Sequence, residues 1–294
     1  MNKLLCIVGP TGTGKTARAV EEAQKTPSII ISADSRQVYR GMDIVTGKDH
    51  PKGIKIYGID IVDPDESCSV AVWHDAVMPH IKKSWQESRQ VIVVGGTGLY
   101  VKALTDGIPT MQVPINQPLR DELSSLSITE LQQKLKLVDV PKFDSMNNSD
   151  SNNPRRLIRA IEVARFLHFG RNDETICHLE QGREISKGTK FIGLKHSVES
   201  IQRNKIRARV ISRLEQGAVE ETQLLLSKYT KNFPSMSAIG YRSIINFIEN
   251  KCTKQEMIDS WVEGELAYSK RQFTWFRKQP VIWYDIDIYG NTKN

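Results

Sequence analysis

Residues 9–16 constrain the fold of this chain more than any other feature. They read GPTGTGKT, match the pattern G-x-x-x-x-G-K-[ST] in full, and lie between the apolar run at residues 4–8 and a stretch of helical spacing. Backbone N–H groups of such a loop surround phosphate oxygens, Lys15 adds a mobile positive charge, and Thr16 offers a hydroxyl to Mg²⁺. We predict that this segment, the phosphate loop, binds a diphosphate or triphosphate, although the motif does not specify the reaction. The loop consists of Gly9, Pro10, Thr11, Gly12, Thr13, Gly14, Lys15 and Thr16.

Apolar runs and helical patterns alternate through the first third of the chain. After the first run, further runs occupy residues 28–32, 54–61 and 91–94, and residues 70–88 have helical spacing. Strands that alternate with helices predict a parallel sheet covered by helices on both faces. Because the phosphate loop follows the first strand, we predict an α/β fold with a P-loop NTPase-like parallel sheet flanked by helices.

The pattern changes after about residue 110. Helical patterns and polar linkers dominate from there to about residue 187, and Asn153 with Pro154 is typical of a helix start. Residues 190–195 again indicate a strand, and mostly helical segments follow it. We therefore predict a catalytic core of residues 1–112 and 188–294 with a helical insertion domain at residues 113–187.

The composition is that of a globular chain with an excess of basic residues. The formal net charge of +7 weakly favours an anionic partner. The cysteines form no CxxC pair and lie near no histidine cluster, which argues against a zinc site and a disulfide framework. No apolar run is long enough for a membrane span, and the first strand starts too early to leave room for a signal peptide. We expect a reduced, cytoplasmic protein without a membrane partner, with free thiols at Cys6, Cys68, Cys177 and Cys252.

Polar residues follow the second and fourth predicted strands, at the sheet edge where such folds bind ligands. Asp34 is placed to act as a general base, or to hold a metal or a nucleophile. The same position also suits a cap on the following turn, and the sequence does not decide between these roles. Gln37 carries the paired donor and acceptor that suit the edge of a base. Small residues on both sides of Thr97 allow its hydroxyl to approach a ligand.

An acidic residue that ends an apolar strand is typical of ATPases, and none is obvious here. Asp60 and Asp63 are the possible substitutes for it. The sequence therefore weakens the interpretation as a hydrolysing ATPase without excluding it.

Seven separated blocks together resemble one family, the tRNA dimethylallyltransferases, also called tRNA isopentenyltransferases. The phosphate loop is shared with many proteins, but DSRQVYRGMDI with GGTGLY, NPRR, GYR and KRQFTWFR is specific as a set. The blocks follow the family's order and cover nearly the whole chain, at residues 9–16, 32–48, 69–76, 94–104, 153–163, 238–243 and 270–278.

The resemblance implies transfer of a dimethylallyl group from dimethylallyl diphosphate to N6 of the adenosine just 3′ of the anticodon in tRNA. It implies that the phosphate loop holds the donor's diphosphate with Mg²⁺, for which Thr16 is the metal-binding residue. Asp34 corresponds to the family's general base and Thr97 to a hydroxyl near the reacting groups. Arg209, placed by its spacing to Gly217, corresponds to the arginine that stabilises the leaving diphosphate.

The resemblance also implies how RNA is held. The insertion domain is expected to bind the anticodon stem-loop, and the target base must leave its stack, with Tyr39 and Tyr100 as candidate walls or as plain packing. Further contacts are implied by four segments that match the family's blocks. The predicted tRNA-binding residues are Asp34, Ser35, Arg36, Gln37, Arg155, Arg156, Leu157, Ile158, Arg159, Ser237, Ala238, Ile239, Gly240, Tyr241, Arg242, Lys270 and Arg271.

Two departures from the family pattern are visible. The motif GYRE ends in Ser243 here, so any role of that carboxylate is absent or moved. The motif TAKP reads TGKD, which places Gly47 and Asp49 in the loop after the second strand. A metal-binding finger found at the C-terminus of some eukaryotic members is missing, which indicates the shorter bacterial type.

Three other functions stay open at this point. An enzyme that prenylates free AMP, ADP or ATP would share the phosphate loop and the aspartate but would need no insertion or basic helices. A P-loop small-molecule kinase and an RNA-binding ATPase would share only the loop. One chain carries all the blocks, so we expect a monomer with no obligate protein partner.

Overall fold

The computed structural model describes residues 4–169 and 188–289. Six strands form one parallel sheet in the order β3-β2-β4-β1-β5-β6. The strand order places β1, with the phosphate loop at its carboxyl end, between β4 and β5. The strands are β1 (Leu4–Val8), β2 (Ser28–Ser32), β3 (Ile56–Tyr57), β4 (Gln90–Gly95), β5 (Thr189–Lys195) and β6 (Ile282–Asp285).

The apolar runs form central strands because both faces of the sheet are covered. All five residues of β1 are buried, as are four of the six in β4, which is the pattern of a strand packed on two sides. Side chains on one face pack around Trp73 and Trp261, and those on the other face pack around Ala19 and Ile30. The predicted α/β fold is confirmed.

Several helices begin at a residue whose side chain caps them. Ser69 accepts a hydrogen bond from the N–H of Val72 at 3.2 Å, and Asn153 accepts one from the N–H of Arg156 at 3.3 Å. The helices are α1 (Lys15–Lys25), α2 (Val70–Gln86), α3 (Gly98–Thr105), α4 (Gln117–Ser124), α5 (Ile128–Val138), α6 (Val140–Asp144), α7 (Asn148–Ser151), α8 (Pro154–Phe169), α9 (Glu199–Glu215), α10 (Ala218–Lys228), α11 (Ile239–Ile248), α12 (Lys254–Phe276) and α13 (Ile286–Tyr289), with a 3₁₀ turn at Pro234–Ser237.

The described chain divides into two compact units. Residues 4–107 and 188–289 form the unit that contains the sheet, and residues 108–169 form a helical unit. The helical unit has its own core, in which four leucines of α4 and α5 pack against α8. Part of the predicted insertion domain, residues 170–187, lies outside the described residues, as does Cys177. The predicted role of this domain in binding tRNA stays a prediction.

One predicted strand is much shorter than expected. Residues 54–61 pair with β2 only at Ile56–Tyr57. The strand ends there because Gly58 and Asp60 adopt φ values of 86° and 54°, which are incompatible with an extended ladder. In the described part of the chain, no helix is both long and apolar enough to cross a membrane.

Candidate active site

The phosphate loop joins β1 to α1 at the carboxyl edge of the sheet. Gly9 has a φ of 139°, and a Cβ on it would lie 2.2 Å from the carbonyl oxygen of Leu194. Only glycine therefore lets the loop pack against β5. Pro10 closes the loop internally, because its carbonyl accepts hydrogen bonds from Thr13 Oγ1 at 2.9 Å and from Lys15 Nζ at 2.6 Å.

Lys15 is buried, and its ammonium forms no ion pair with a carboxylate of the described residues. Burial, and then the charge of the nearby Arg209, lower the pKa of its ammonium to about 8, although Asp34 and Glu265 partly offset these effects. A phosphate group in the loop would supply the missing countercharge. The geometry and the charge both fit an anion-binding site.

Asp34 follows β2 and faces the same space as the phosphate loop. Its Oδ1 accepts the N–H of Arg36 at 2.8 Å, so one oxygen caps the following turn. Thr97, after β4, accepts the N–H of Ser35 at 3.0 Å and donates its own N–H to the carbonyl of Ala33 at 3.0 Å. The capping and ligand-facing roles of Asp34 therefore coexist, and Thr97 fixes the backbone next to it.

One face of α9 carries basic side chains into this space. Lys205, Arg209 and Arg213 are four residues apart and all line the same cavity. Arg209 Nη1 donates to Thr11 Oγ1 in the phosphate loop at 3.0 Å. Arg203 and Arg207, which the helical period turns away, pair instead with acidic residues of α12, namely Glu263 and Asp259.

A single cavity of about 1100 Å³ collects most of the predicted catalytic and ligand-binding residues of the sheet-containing unit. Part of its wall is apolar, formed by Val20, Ile56, Ile59 and Val94. The predicted residues that line it are Thr11, Gly12, Thr13, Gly14, Lys15, Thr16, Asp34, Ser35, Arg36, Gln37, Arg209, Ser237, Ala238, Ile239, Gly240, Arg242 and Arg271.

Comparison with known proteins decides the family. A family model described as IPP transferase matches residues 37–279. The chain belongs to this family. A tRNA dimethylallyltransferase from Alkaliphilus oremlandii is 35% identical over 303 residues, which cover 99% of this chain and 94% of the relative. Another from Anoxybacillus flavithermus is 33% identical over 292 residues, which cover 97% and 90% respectively. The resemblance in the sequence and the bacterial type are thereby confirmed.

Solved structures agree with the fold. A tRNA isopentenylpyrophosphate transferase from Bacillus halodurans has a TM-score of 0.69 at 32% identity, covering 97% of this chain and 90% of that one. A eukaryotic dimethylallyltransferase acting on tRNA has a TM-score of 0.82 at 24% identity, covering 100% and 76%. The second likeness concerns the fold only.

Three residues predicted to bind the diphosphate or to act in catalysis do not line the cavity. Gly9 and Pro10 are buried beneath the phosphate loop, and Thr97 sits behind Ser35, whose N–H it accepts. Gln37 lines the cavity, but its amide already accepts from Ser32 Oγ at 2.8 Å and donates to the carbonyl of Gly47 at 3.0 Å. One donor hydrogen of Gln37 is left for a base.

Two side chains predicted to contact tRNA are enclosed in protein. Tyr241 is fully buried and donates its hydroxyl to Glu221 Oε1 at 2.6 Å, and burial together with that carboxylate raises the pKa of the phenol. Leu157 is fully buried in the core of the helical unit, and Ile158 is partly buried beside it. Packing and the Tyr241–Glu221 hydrogen bond therefore occupy these two side chains, and the predicted contact of Tyr241 and Leu157 with tRNA stays a prediction.

The aromatic candidates for the base pocket are also packing residues. Tyr39 and Tyr100 are 5% and 3% exposed. Tyr100 stacks on Trp73 with ring centroids 4.4 Å apart. Neither ring lines the cavity, so plain packing is the interpretation that the structure supports.

The arginines of the helical unit differ in their availability. Arg155 is exposed, and Arg156 is exposed but pairs with Asp150. Arg159 bonds to the buried Glu162 and to the carbonyls of two residues in the preceding segment, at 2.7 and 2.9 Å. Arg159 therefore holds its own unit together.

The sequence did not single out several residues of α12 that complete the cavity. Gln272 accepts the N–H of Thr11 at 2.8 Å, and its amide occupies the space where a Cβ on Gly96 would lie. Burial, and then the charge of Asp34, raise the pKa of Tyr268 to about 12, whereas hydrogen bonds with Thr97 and Gln272 oppose the rise. The signal was present, because Glu265, Tyr268 and Gln272 share one helical face.

A second missed contact supports the phosphate loop from behind. His196, directly after β5, is almost fully buried and has its Nδ1 2.5 Å from Asp287 Oδ1 and its Nε2 3.3 Å from the carbonyl oxygen of Gly12. The imidazole links α13 to the loop. No sequence pattern joined these two distant residues.

The substitutes considered for an ATPase acid have structural roles. Lys48 is buried, and its Nζ donates to Asp60 Oδ1 at 2.5 Å and to Asp43 Oδ1 at 2.6 Å. Asp63 pairs with the exposed Arg40. Neither aspartate lines the cavity.

A magnesium ion fits the donors at the loop. Within residues 4–169 and 188–289 no group of three or more histidine, cysteine or carboxylate side chains could hold a metal. Mg²⁺ does not need such a cage, because it keeps several waters and binds phosphate oxygens with one or two protein oxygens. Thr16, the predicted metal-binding residue, lines the cavity and offers such an oxygen through its hydroxyl.

A smaller basic cavity lies on α3 and α12. Trp275, at its rim, is 40% exposed. Positive side chains beside an exposed indole suit RNA phosphates and a stacked base. Its lining consists of Lys102, Lys270, Arg271, Thr274, Trp275, Lys278 and Gln279.

Proposed function

We propose that this protein transfers a dimethylallyl group from dimethylallyl diphosphate to N6 of the adenosine just 3′ of the anticodon in tRNA. Its relatives carry the names tRNA dimethylallyltransferase and tRNA isopentenylpyrophosphate transferase. One observation carries the proposal: a phosphate loop, a carboxylate and an arginine line the same cavity, together with an apolar wall.

The donor's two chemical halves match two parts of the cavity. N–H groups of the phosphate loop, Lys15 and Arg209 suit the diphosphate. The apolar wall of Val20, Ile56, Ile59 and Val94 suits a short branched hydrocarbon. A nucleotide donor would instead need polar partners for its ribose and base.

Mg²⁺ would be held by the Thr16 hydroxyl together with diphosphate oxygens. When bound there, the ion would neutralise charge on the diphosphate. Lys15 and Arg209, the protein's own cations, also stabilise the negative charge of the diphosphate.

In the transfer, a new bond forms between the adenine N6 and the allylic carbon while the bond from that carbon to the diphosphate oxygen breaks. The pyrophosphate leaves with the bonding electrons, and N6 loses a proton. Asp34 accepts that proton through the carboxylate oxygen that does not cap the Arg36 turn. Such base catalysis contributes roughly 10²–10⁴-fold to the rate.

Thr97 acts as a positioning residue. Its Oγ1 accepts the N–H of Ser35 and so fixes the residue that follows Asp34. Tyr268 and Gln272 hold the neighbouring side of the same space. The carboxylate is thereby aimed by a network rather than by one contact.

Transfer RNA requires a larger surface than a mononucleotide does. Arg36, Arg242 and Arg271 line the main cavity, and the smaller basic cavity adds further cations beside Trp275. Arg155 and Arg156 add exposed charge in the helical unit. We propose that these surfaces bind the RNA backbone while the target base is extruded.

We also propose a cytoplasmic monomer with no obligate protein partner. The phosphate loop, Asp34 and Arg209 line one cavity, so the proposed chemistry needs no residue from a second chain. Cys6, Cys68 and Cys252 are free thiols, as expected in a reducing compartment. Gel filtration with light scattering tests the oligomeric state.

An acceptor panel tests the function. The purified protein is incubated with dimethylallyl diphosphate labelled in its hydrocarbon and with tRNA, AMP or ATP, and nucleosides are then separated. We expect label in one adenosine of tRNA only. Label in AMP or ATP would favour a free-nucleotide enzyme, and no transfer to any acceptor would overturn the proposal.

Asp34→Ala tests the base. We expect turnover to fall about 10²–10⁴-fold while tRNA still binds, because the carboxylate acts on a proton rather than on the RNA backbone. Asp63→Ala is the matched control, since Asp63 pairs with Arg40 outside the cavity. Near-normal turnover of Asp34→Ala would remove Asp34 from this role.

A further inference from the structure

Arg213 is a buried cation whose ion pair with Glu265 is long. It is 6% exposed, and its nearest carboxylate, on Glu265, lies 3.8 Å away, beyond hydrogen-bonding distance. Among the described residues its guanidinium makes no hydrogen bond, and the ring of Trp261 lies 6.0 Å from its Cζ. A buried charge with such partners is costly unless another group completes its environment.

A second guanidinium lies beside it. A Cβ on Gly47 would be 2.0 Å from Arg213 Nη2 and 2.7 Å from Arg209 Nη2, so the two groups converge on one point. Burial, and then the charge of Arg209, lower the pKa of Arg213 to about 10. Two like charges held this close favour an anion between them.

The pair occupies a defined place in the cavity. Arg209 touches Thr11 of the phosphate loop, and Arg213 follows one helical turn later on the same face of α9. The two side chains therefore extend the positive surface from the loop toward Gly47. Both line the cavity that contains Lys15.

The departures at residues 47 and 49 fit this arrangement. The alanine of the family motif would place a Cβ in contact with both guanidinium groups, whereas Gly47 leaves room for them. Asp49 contributes a favourable charge to Arg213 without pairing with it. The loop after β2 is thus shaped around Arg213.

We propose that Arg213 and Arg209 form a clamp for a phosphate group of the donor, which makes the site select a diphosphate over a monophosphate. This proposal rests on the proposed function for the identity of the donor. The phosphate loop with Lys15 holds one phosphate and the clamp holds the other. Planar guanidinium groups match phosphate oxygens with paired hydrogen bonds.

Calorimetry with inorganic pyrophosphate and with inorganic phosphate tests the clamp. For Arg213→Met, which keeps the helix and the volume, we expect pyrophosphate affinity to fall about tenfold to a hundredfold, the usual loss of a charge-assisted hydrogen bond. Phosphate affinity should change less than about threefold, since the loop alone binds one phosphate. Arg213→Lys should restore part of the loss.

A pair of glycine variants gives the same answer without touching Arg213. Gly47→Ala puts a Cβ into the clamp, whereas Gly41→Ala has nearly the same φ, 68° against 65°, and no atom within 4 Å. We expect only Gly47→Ala to weaken pyrophosphate binding. If Arg213→Met does not fold, as judged by circular dichroism, this pair decides the matter.

Two results would overturn the clamp. One is unchanged pyrophosphate affinity in folded Arg213→Met and in Gly47→Ala. The other is weakened tRNA affinity with normal pyrophosphate affinity, which would place an RNA phosphate on Arg213. Because binding is measured without transfer, a wild type that binds pyrophosphate but prenylates nothing would sink the proposed function and leave the clamp standing.

Discussion

The arginines of α9 and those of the helical unit look alike in the sequence and differ in the structure. Arg209 and Arg213 point into a cavity, and within the described residues neither has a carboxylate closer than 3.8 Å. Arg120 and Arg159 converge on Glu162, which is almost fully buried and accepts from Arg120 at 2.7 and 2.9 Å. Arg120 and Arg159 are therefore neutralised by a buried carboxylate, whereas Arg209 and Arg213 are free to bind an anionic ligand.

This difference shows that a count of basic residues does not locate an anion site. What matters is whether the fold supplies a matching carboxylate. Burial would raise the pKa of Glu162, but hydrogen bonds from Arg120, Asn116 and Arg159 hold it below its usual range. The same contacts make Arg159 a structural residue.

Arg209→Ala should have the largest effect, because Arg209 has no carboxylate partner in the described part of the chain and contacts the phosphate loop. We expect kcat to fall about 10²–10³-fold, the usual cost of one donor to a developing negative charge. Single-turnover transfer measures it. Arg207→Ala is the matched control on the same helix, because Arg207 pairs with Asp259 at 2.7 Å. A change under threefold in Arg209→Ala would place its charge outside the reaction.

Glu162→Gln should act on stability rather than on ligand binding. Removing one partner of a buried ion pair costs about 3 kcal/mol, measured by urea unfolding at neutral pH. Pyrophosphate affinity should stay unchanged. Glu122→Gln, an exposed residue paired with Lys134, is the control and should cost little. Equal stability of both variants would contradict the structural role.

The same variant has a pH signature. Because the folded-state pKa of Glu162 is lowered, its carboxylate stabilises the fold fully above the unfolded pKa of about 4.3. That stabilisation is lost as the pH falls through the folded-state pKa. The stability difference between wild type and Glu162→Gln should therefore shrink in acid, and a difference independent of pH would contradict it.

Pyrophosphate binding should weaken at alkaline pH through Lys15. Its pKa of about 8 means that the ammonium is charged below pH 8 and neutral above it, so affinity falls up to about tenfold per pH unit above 8. Calorimetry measures the pyrophosphate affinity of wild type and of Lys15→Met at each pH. The titration of pyrophosphate itself affects both proteins equally and cancels in their ratio. Parallel pH profiles of the two proteins would exclude Lys15 as the titrating group.

The exposed arginines of α8 should show the smallest effect. Arg155→Ala should weaken tRNA binding only a few-fold and reduce the slope of log K against log salt by about one phosphate contact. Arg156→Ala should do less, because Asp150 already pairs with it. Filter binding across salt concentrations measures both. A larger loss for Arg156 than for Arg155 would reverse this ranking.

The sequence alone predicted those features that a short local pattern determines. The five apolar residues before Gly9 predicted a central strand, and the glycines with Lys15 predicted the anion site. Asp34 followed from the edge of the sheet. In each case the pattern is local, and neighbouring residues determine the geometry.

The rest depends on contacts between distant parts of the chain. Arg213 of α9 packs against Gly47 in the loop after β2, and Gln272 of α12 accepts a hydrogen bond from Thr11. No local pattern encodes these pairs. The burial of the Tyr241 and Leu157 side chains was not predicted either, since a motif letter does not say which way its side chain points.

In the proposed reaction, pyrophosphate leaves from carbon in this cavity while tRNA receives the dimethylallyl group. A donor labelled with ¹⁴C in the dimethylallyl group and ³²P in the diphosphate tests it in one reaction. We expect ¹⁴C in a single adenosine of tRNA and ³²P released as inorganic pyrophosphate in equal amount. Transfer of ³²P to any acceptor, or release of ³²P without ¹⁴C in tRNA, would contradict it.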